Sequence, residues 1–198
     1  MNQITFKQYR NIDITIFCVL TAIFETIATL ATNRWFVFQA MSVTITLTMT
    51  CIVMMRWGNE CVLPSLIGAL VYCLTLNGSV KQFVTYCGGS IFCLIAVPIL
   101  KKIGKESIRL DFVKRSAFVI LVYLLTITGR WAFSLIFEQS FKSFLIFLTT
   151  DILSLLFAIV VLSLLKGVEG MIEDQKHYLL RLDKERQKEQ SANLNDNF

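Results

Sequence analysis

Charged side chains, proline and histidine are all scarce in this chain of 198 residues, and the scarcity of charged residues argues against a soluble globular domain. Only 17% of the residues are charged, whereas 55% are hydrophobic and the mean hydropathy is +0.63. Soluble globular domains carry about 25% charged residues, so this composition indicates an integral membrane protein. The net charge of +5 needs no nucleic acid to explain it, and we expect no nucleic-acid partner.

The sequence signatures of common catalytic and cofactor sites are missing as well. The chain has no P-loop, no G-x-G-x-x-G and no H-E-x-x-H pattern. Its one histidine, His177, falls in a charged stretch without a second metal ligand, and its six cysteines show no C-x-x-C spacing. We therefore expect no catalytic residues, no cofactor and no metal centre, and we do not expect an enzyme.

Long apolar runs indicate an all-α polytopic membrane bundle. About 30 Å of hydrocarbon requires roughly 20 helical residues, and a strand-like alternation of threonines at 44–50 is interpreted as helix because a lone strand leaves its backbone unpaired in lipid. Six transmembrane helices are predicted within a domain of residues 1–165. They cover 12–32, 36–55, 61–76, 83–100, 117–136 and 145–165.

The distribution of lysine and arginine predicts the orientation of these helices. With a cytoplasmic N-terminus, 15 basic residues fall on the inner side and 4 on the outer side, which is the asymmetry that membrane insertion favours. Both termini are then cytoplasmic, in a multi-pass protein of the cell membrane. After the last span, residues 166–190 are charged with one narrow apolar face and predict a cytoplasmic amphipathic helix, whereas 191–198 are predicted to be disordered.

Three ionisable residues, Glu25, Arg130 and Asp151, interrupt the apolar runs. Such a group costs several kcal/mol in hydrocarbon unless it is paired or faces a cavity, which makes it a candidate for function. At 1.5 Å per residue, Glu25 lies about 20 Å from the inner end of the first span, and Asp151 lies about 9 Å from the outer end of the last. Arg130 falls at a similar height, so all three are predicted to share one layer in the outer half of the membrane.

Other polar and small residues extend this layer toward the outer surface, and together they predict an outward-facing pocket between the first, fourth, fifth and sixth spans. Purely structural roles are the alternative. Glu25 and Asp151 could each pair with Arg130, or Asp151 could cap a helix that begins later. Gly88 and Gly89 could serve helix packing. The predicted substrate-binding residues are Glu25, Asn33, Arg34, Trp35, Asn77, Lys81, Gln82, Tyr86, Gly88, Gly89, Arg130 and Asp151.

Several stretches carry a resemblance to a known family. M-R-W-G at 55–58, K-Q-F-V-T-Y-C-G-G at 81–89, T-T-D at 149–151 and E-D-Q-K-H-Y-L-L-R-L at 173–182 are similar to uncharacterised bacterial membrane proteins grouped with energy-coupling factor (ECF) transporters. In length and in its six predicted helices, the chain resembles the substrate-binding S component of such a transporter. The resemblance covers nearly the whole chain.

The resemblance implies capture of a small molecule, such as a vitamin or another micronutrient, from outside the cell. Its implied partners are the lipid bilayer, a membrane coupling subunit and two cytoplasmic ATPases. In that family an A-x-x-x-A motif in the first helix commonly docks the coupling subunit, whereas this chain has only Ala28-x-x-Ala31 and Ala22-x-x-x-Thr26. The alternative is a non-transporting scaffold like the six-helix MreD-type proteins of the cell-shape machinery, which needs helix-packing polar residues but no ligand.

Overall fold

The computed structural model describes residues 6–35, 41–137 and 141–185, apart from 169, 177 and 183. Within these residues the secondary structure is helical and contains no strand, which confirms the predicted all-α class. Short 3-10 turns at Gly58–Cys61, Phe92–Ile95 and Leu135–Phe137 join or end the longer helices. The α-helices are α1 (Phe6–Trp35), α2 (Thr46–Trp57), α3 (Val62–Thr75), α4 (Val80–Ile91), α5 (Ala96–Ile103), α6 (Lys105–Leu110), α7 (Phe112–Ser134), α8 (Lys142–Thr150) and α9 (Ile152–Leu165).

Several of the helices have the length and surface of membrane spans. Among the described residues, four helical stretches are long and apolar enough to cross a bilayer, and the bent pair α8 and α9 makes a fifth if it counts as one span. One side of α1 exposes an apolar side chain every three or four residues, as a lipid-facing helix does. This stripe contains Ile12, Ile16, Val19, Ile23, Ile27 and Leu30.

The helical stretch Thr46–Thr75 folds back on itself and is not one straight rod. Its chain direction changes at the 3-10 turn that begins with Gly58, whose φ is +70°. A Cβ atom added to Gly68 of α3 would lie 2.8 Å from the Cβ of Thr46, at the start of α2. A straight helix would place these two residues about 33 Å apart, so α2 and α3 lie side by side.

Two predicted spans are interrupted where the sequence predicted continuous helix. In the second span, residues 41–45 are not helical and α2 begins only at Thr46, while 36–40 lie outside the described residues. In the last span, the helix breaks at Asp151 and bends by 42°. Non-helical backbone at membrane depth is tolerated only where protein or a cavity satisfies its polar groups, and both interruptions face each other inside the bundle.

The C-terminal segment differs from the predicted continuous helix over 166–190. Turns and bends occupy 166–168 and 170–173, where Gly170 has φ +72°, and helix resumes only at Gln175. Residues 186–190 and the predicted disordered tail at 191–198 lie outside the described residues. The segment packs against the bundle: Ile172 and Gln175 are buried, and Arg56 of α2 donates hydrogen bonds to the backbone oxygens of Gly170 and Met171.

Candidate functional site

Arg130 is held between a carboxylate and an aromatic ring. It lies on α7 and is 7% exposed, and its Nη1 donates a hydrogen bond to Oδ2 of Asp151, which is 4% exposed at the break between α8 and α9. The guanidinium carbon lies 4.5 Å from the ring centroid of Tyr86, which stacks on Tyr72 at a centroid distance of 5.0 Å. Charge pairing and a cation–π contact therefore fix the arginine in the interior.

Glu25 caps the N-terminus of α2. Its side chain is fully buried, and Oε2 accepts hydrogen bonds from the backbone N–H of Ile45 at 2.8 Å and from the backbone N–H and hydroxyl of Thr46, both at 2.9 Å. A helix N-terminus stabilises a negative charge and supplies unpaired N–H donors. Of the two acids, Asp151 thus pairs with Arg130, whereas Glu25 accepts hydrogen bonds from the backbone N–H groups at the start of α2.

The non-helical residues 41–45 connect these two carboxylates. Ser42 donates from its hydroxyl to Oδ1 of Asp151 and from its backbone N–H to the Thr150 oxygen at 2.9 Å. The backbone N–H of Thr44 donates to Oγ of Ser154 at 2.8 Å, and the backbone N–H of Ile45 donates to Oε2 of Glu25. The structure therefore brings the three ionisable residues of the predicted layer into one buried polar network.

Gly88 and Gly89 serve close packing between α4 and α7. A Cβ atom added to Gly89 would lie 2.6 Å from the backbone nitrogen of Arg130, and one added to Gly88 would lie 2.6 Å from the ring of Phe133. Small residues at a helix interface let two backbones approach in this way. Gly89 thereby sets the position of the backbone that carries Arg130.

Predicted residues on α4 line a cleft at the end of the bundle where α3 and α4 connect. The cleft has a volume of about 480 Å³ and lies between α4 and α8. Tyr86 belongs to its wall and its ring also contacts the guanidinium of Arg130, so this side chain links the cleft to the arginine–aspartate pair. Its described lining consists of Ser79, Lys81, Gln82, Thr85, Tyr86, Ser143, Ile146 and Phe147.

Of the twelve predicted residues, nine do not line this cleft, and four of these nine lie at the exposed surface. Asn33, Arg34 and Trp35 form the exposed last turn of α1, where the Trp35 side chain is 80% exposed. Asn77 lies in the turn between α3 and α4 with φ +52° and is also exposed. These residues belong to the predicted outer surface and do not line the cleft.

The polar side chains around residues 41–46 were missed as site residues. Thr44 and Thr46, together with Arg130 and Asp151, line a small internal cavity of about 20 Å³. The sequence signal for them was the threonine alternation at 44–50, which was interpreted as part of a continuous helix. The described lining of the cavity is Thr44, Thr46, Leu47, Thr50, Ser65, Ser90, Tyr123, Thr126, Ile127, Arg130, Asp151 and Ser154.

Comparison with known proteins adds no family to this description. No protein-family model, no curated protein and no solved structure matches the chain. Within the described residues, no group of three or more histidine, cysteine, aspartate or glutamate side chains is placed to hold a metal ion. The geometry of the cleft and of the buried network is therefore the basis for a functional proposal.

Proposed function

We propose that this protein is a membrane-embedded solute-capture subunit, similar in role to the S component of an ECF transporter. The observation that carries the proposal is the cleft between α4 and α8, whose wall contains Lys81, Gln82 and Tyr86. Its volume of about 480 Å³ falls in the range of about 300–1,000 Å³ that is usual for small-molecule sites. A solute in this cleft would contact Tyr86, which separates it from Arg130.

The lining of the cleft favours a small, polar solute. Lys81 is the one charged side chain in the described lining, and the hydroxyls of Ser79, Thr85 and Ser143 offer both donors and acceptors. Tyr86 and Phe147 add aromatic surface against which a planar or apolar part of the solute can pack. We propose a vitamin-like micronutrient that carries an anionic group for Lys81.

The proposal includes six membrane-spanning segments with both termini in the cytoplasm. The close approach of Gly68 on α3 to Thr46 on α2 supports separate second and third segments, because it places the two helices side by side and not in line. The basic residues then lie mostly on the cytoplasmic side, and the cleft opens outward. A membrane coupling subunit and cytoplasmic ATPases would supply the energy for release, so the chain itself need not be an enzyme.

Native mass spectrometry of the detergent-purified protein tests this proposal. We expect a small molecule to be retained by the wild type and its occupancy to fall about tenfold or more in Lys81→Ala, because one charge-assisted contact contributes about 1.5–3 kcal/mol. Lys142→Ala is the matched control, since Lys142 is an exposed lysine that does not line the cleft. Equal occupancy in both variants would contradict the assignment of the cleft.

A non-transporting membrane scaffold is the second candidate, and the buried network favours it. Arg130 and Asp151 pair with each other, and Glu25 caps α2, so the three ionisable residues already have structural roles. A scaffold would retain no small molecule. It would instead copurify with proteins of the cell-shape or envelope machinery rather than with ATPase subunits, which separates the two candidates in one purification.

A further inference from the structure

A further cavity lies between the end of α5, α6 and the C-terminal segment. Its volume is about 530 Å³. One wall comes from residues within 101–109 and the other from residues within 172–181. Gly104, whose φ is +89°, borders the cavity, and a Cβ atom added there would meet no atom within 4 Å. The two walls therefore enclose open space between them.

The charged side chains of this cavity leave one positive charge without a counter-charge. Its described lining contains four basic residues, Lys101, Lys105, Arg109 and Arg181, and three acidic residues. Each acid already has a basic partner. Asp174 pairs with Lys105 at 2.6 Å, Glu106 pairs with Arg109 at 2.6 Å, and Glu173 pairs with both Arg109 and Arg181. Lys101 forms no ion pair with a described residue, so the excess charge lies at its ammonium group.

Hydrogen-bond donors are in excess as well. A lysine ammonium has three donor hydrogens and an arginine guanidinium has five, whereas an ionised carboxylate has none. Arg181 donates to Glu173 from Nη2, which leaves its other N–H groups available, and the buried Nε of Arg109 reaches no acceptor among the described residues. An anion with several acceptor oxygens matches this lining, and a phosphate group is the common ligand of this kind.

The cavity lies at a border of the membrane-spanning region. Lys105–Leu110 connects two stretches that are long and apolar enough to cross a bilayer, Val80–Ile103 and Phe112–Phe137. Apolar side chains at the same border are exposed, among them Ile103, Leu110 and Val113. A phospholipid bound here would place its phosphate among the basic residues and its acyl chains along this apolar surface. Basic pockets between membrane helices bind lipid headgroups in this way.

We propose that this cavity binds the headgroup of one anionic phospholipid, with phosphatidylglycerol as the lipid to test. The phosphate would contact Lys101 and Arg181, which stand on opposite walls. A zwitterionic choline headgroup fits less well, because its cationic end would meet an excess of positive charge and acids that already have partners. The site does not include the cleft between α4 and α8, so lipid binding and solute capture can each fail while the other holds.

Native mass spectrometry of the detergent-purified full chain tests the proposal. The protein is titrated with dioleoylphosphatidylglycerol and, separately, with dioleoylphosphatidylcholine, which has the same acyl chains. We expect one phosphatidylglycerol to bind per chain, at least about fivefold more tightly than phosphatidylcholine, which is the effect of roughly one lysine near an anionic headgroup. Equal affinities would overturn the proposal. Glycerophosphoglycerol is the same headgroup without acyl chains, and equally tight binding of this soluble ester would overturn the assignment to a lipid.

Two neighbouring lysines at the end of α5 provide a matched pair of variants. Lys101 and Lys102 are both exposed, but only Lys101 lines the cavity. We expect Lys101→Ala to weaken phosphatidylglycerol binding about fivefold, Lys101→Arg to retain it, and Lys102→Ala to change it less than twofold. Since Lys101 forms no ion pair with a described residue, its loss should leave the fold intact. Equal weakening by the two alanine variants would show general charge attraction rather than a site in the cavity, and would overturn the proposal.

Discussion

At the scale of single residues, the Arg130 and Asp151 pair should dominate the stability of the buried network. Both side chains are more than nine-tenths buried, so neither can turn to water if its partner is lost. We expect Arg130→Gln and Asp151→Asn each to lower the free energy of unfolding by about 3–5 kcal/mol, because each leaves a buried charge without its counter-charge. The unfolding midpoint of the detergent-purified protein in a denaturant titration measures this.

The double variant distinguishes pairing from two independent roles. If the two charges act as one unit, Arg130→Gln with Asp151→Asn costs clearly less than the sum of the single changes, since no unpaired charge remains. Lys142→Ala, at an exposed site, serves as the reference for a neutral change. Strict additivity of the two single variants would show that each residue acts through other partners.

At the scale of helices, the contact between α4 and α7 positions the buried arginine. Gly89 touches the backbone of Arg130, and Gly129 of α7 approaches the Gly89 oxygen so closely that an added Cβ would lie 2.8 Å from it. We expect Gly89→Ala to lower the free energy of unfolding by about 1–3 kcal/mol, because the two helices must move apart to admit a methyl group. Gly167→Ala is the control, since its nearest neighbour would be 3.9 Å away. Equal unfolding temperatures for the two alanine variants would contradict this close packing.

The helical stretches could be predicted from the sequence, whereas the interruptions within them could not. Apolar runs located the helical stretches, and counting residues placed Glu25, Arg130 and Asp151 in one layer, which the hydrogen bonds bring together. The non-helical residues 41–45 could not be predicted, because local pattern rules exclude unpaired backbone in lipid and do not reveal distant partners such as Ser154. Local patterns also do not show that Glu25 caps α2 and does not pair with Arg130, because this contact depends on the tertiary fold.

At the scale of the whole molecule, the C-terminal segment closes the end of the bundle opposite the cleft. Arg56 joins Asp13 of α1 to the backbone of Gly170. Glu173 accepts hydrogen bonds from Arg109 of α6 and from Arg181, so one carboxylate ties the segment to α6. Because Arg56 and Arg109 are engaged in these contacts, any partner that binds this end of the bundle would meet the docked segment as well as α6.

Hydrogen exchange of residues 170–182 measures how firmly this segment is docked. We expect Glu173→Gln to raise exchange of this peptide about three- to tenfold, which corresponds to roughly 1 kcal/mol for partly exposed ion pairs. Glu106→Gln is the matched control, because Glu106 also pairs with Arg109 but lies on α6 and is largely exposed. Since only Glu173 belongs to the docked segment, protection that stays unchanged in Glu173→Gln would show that Arg56 and the buried Ile172 hold the segment without it.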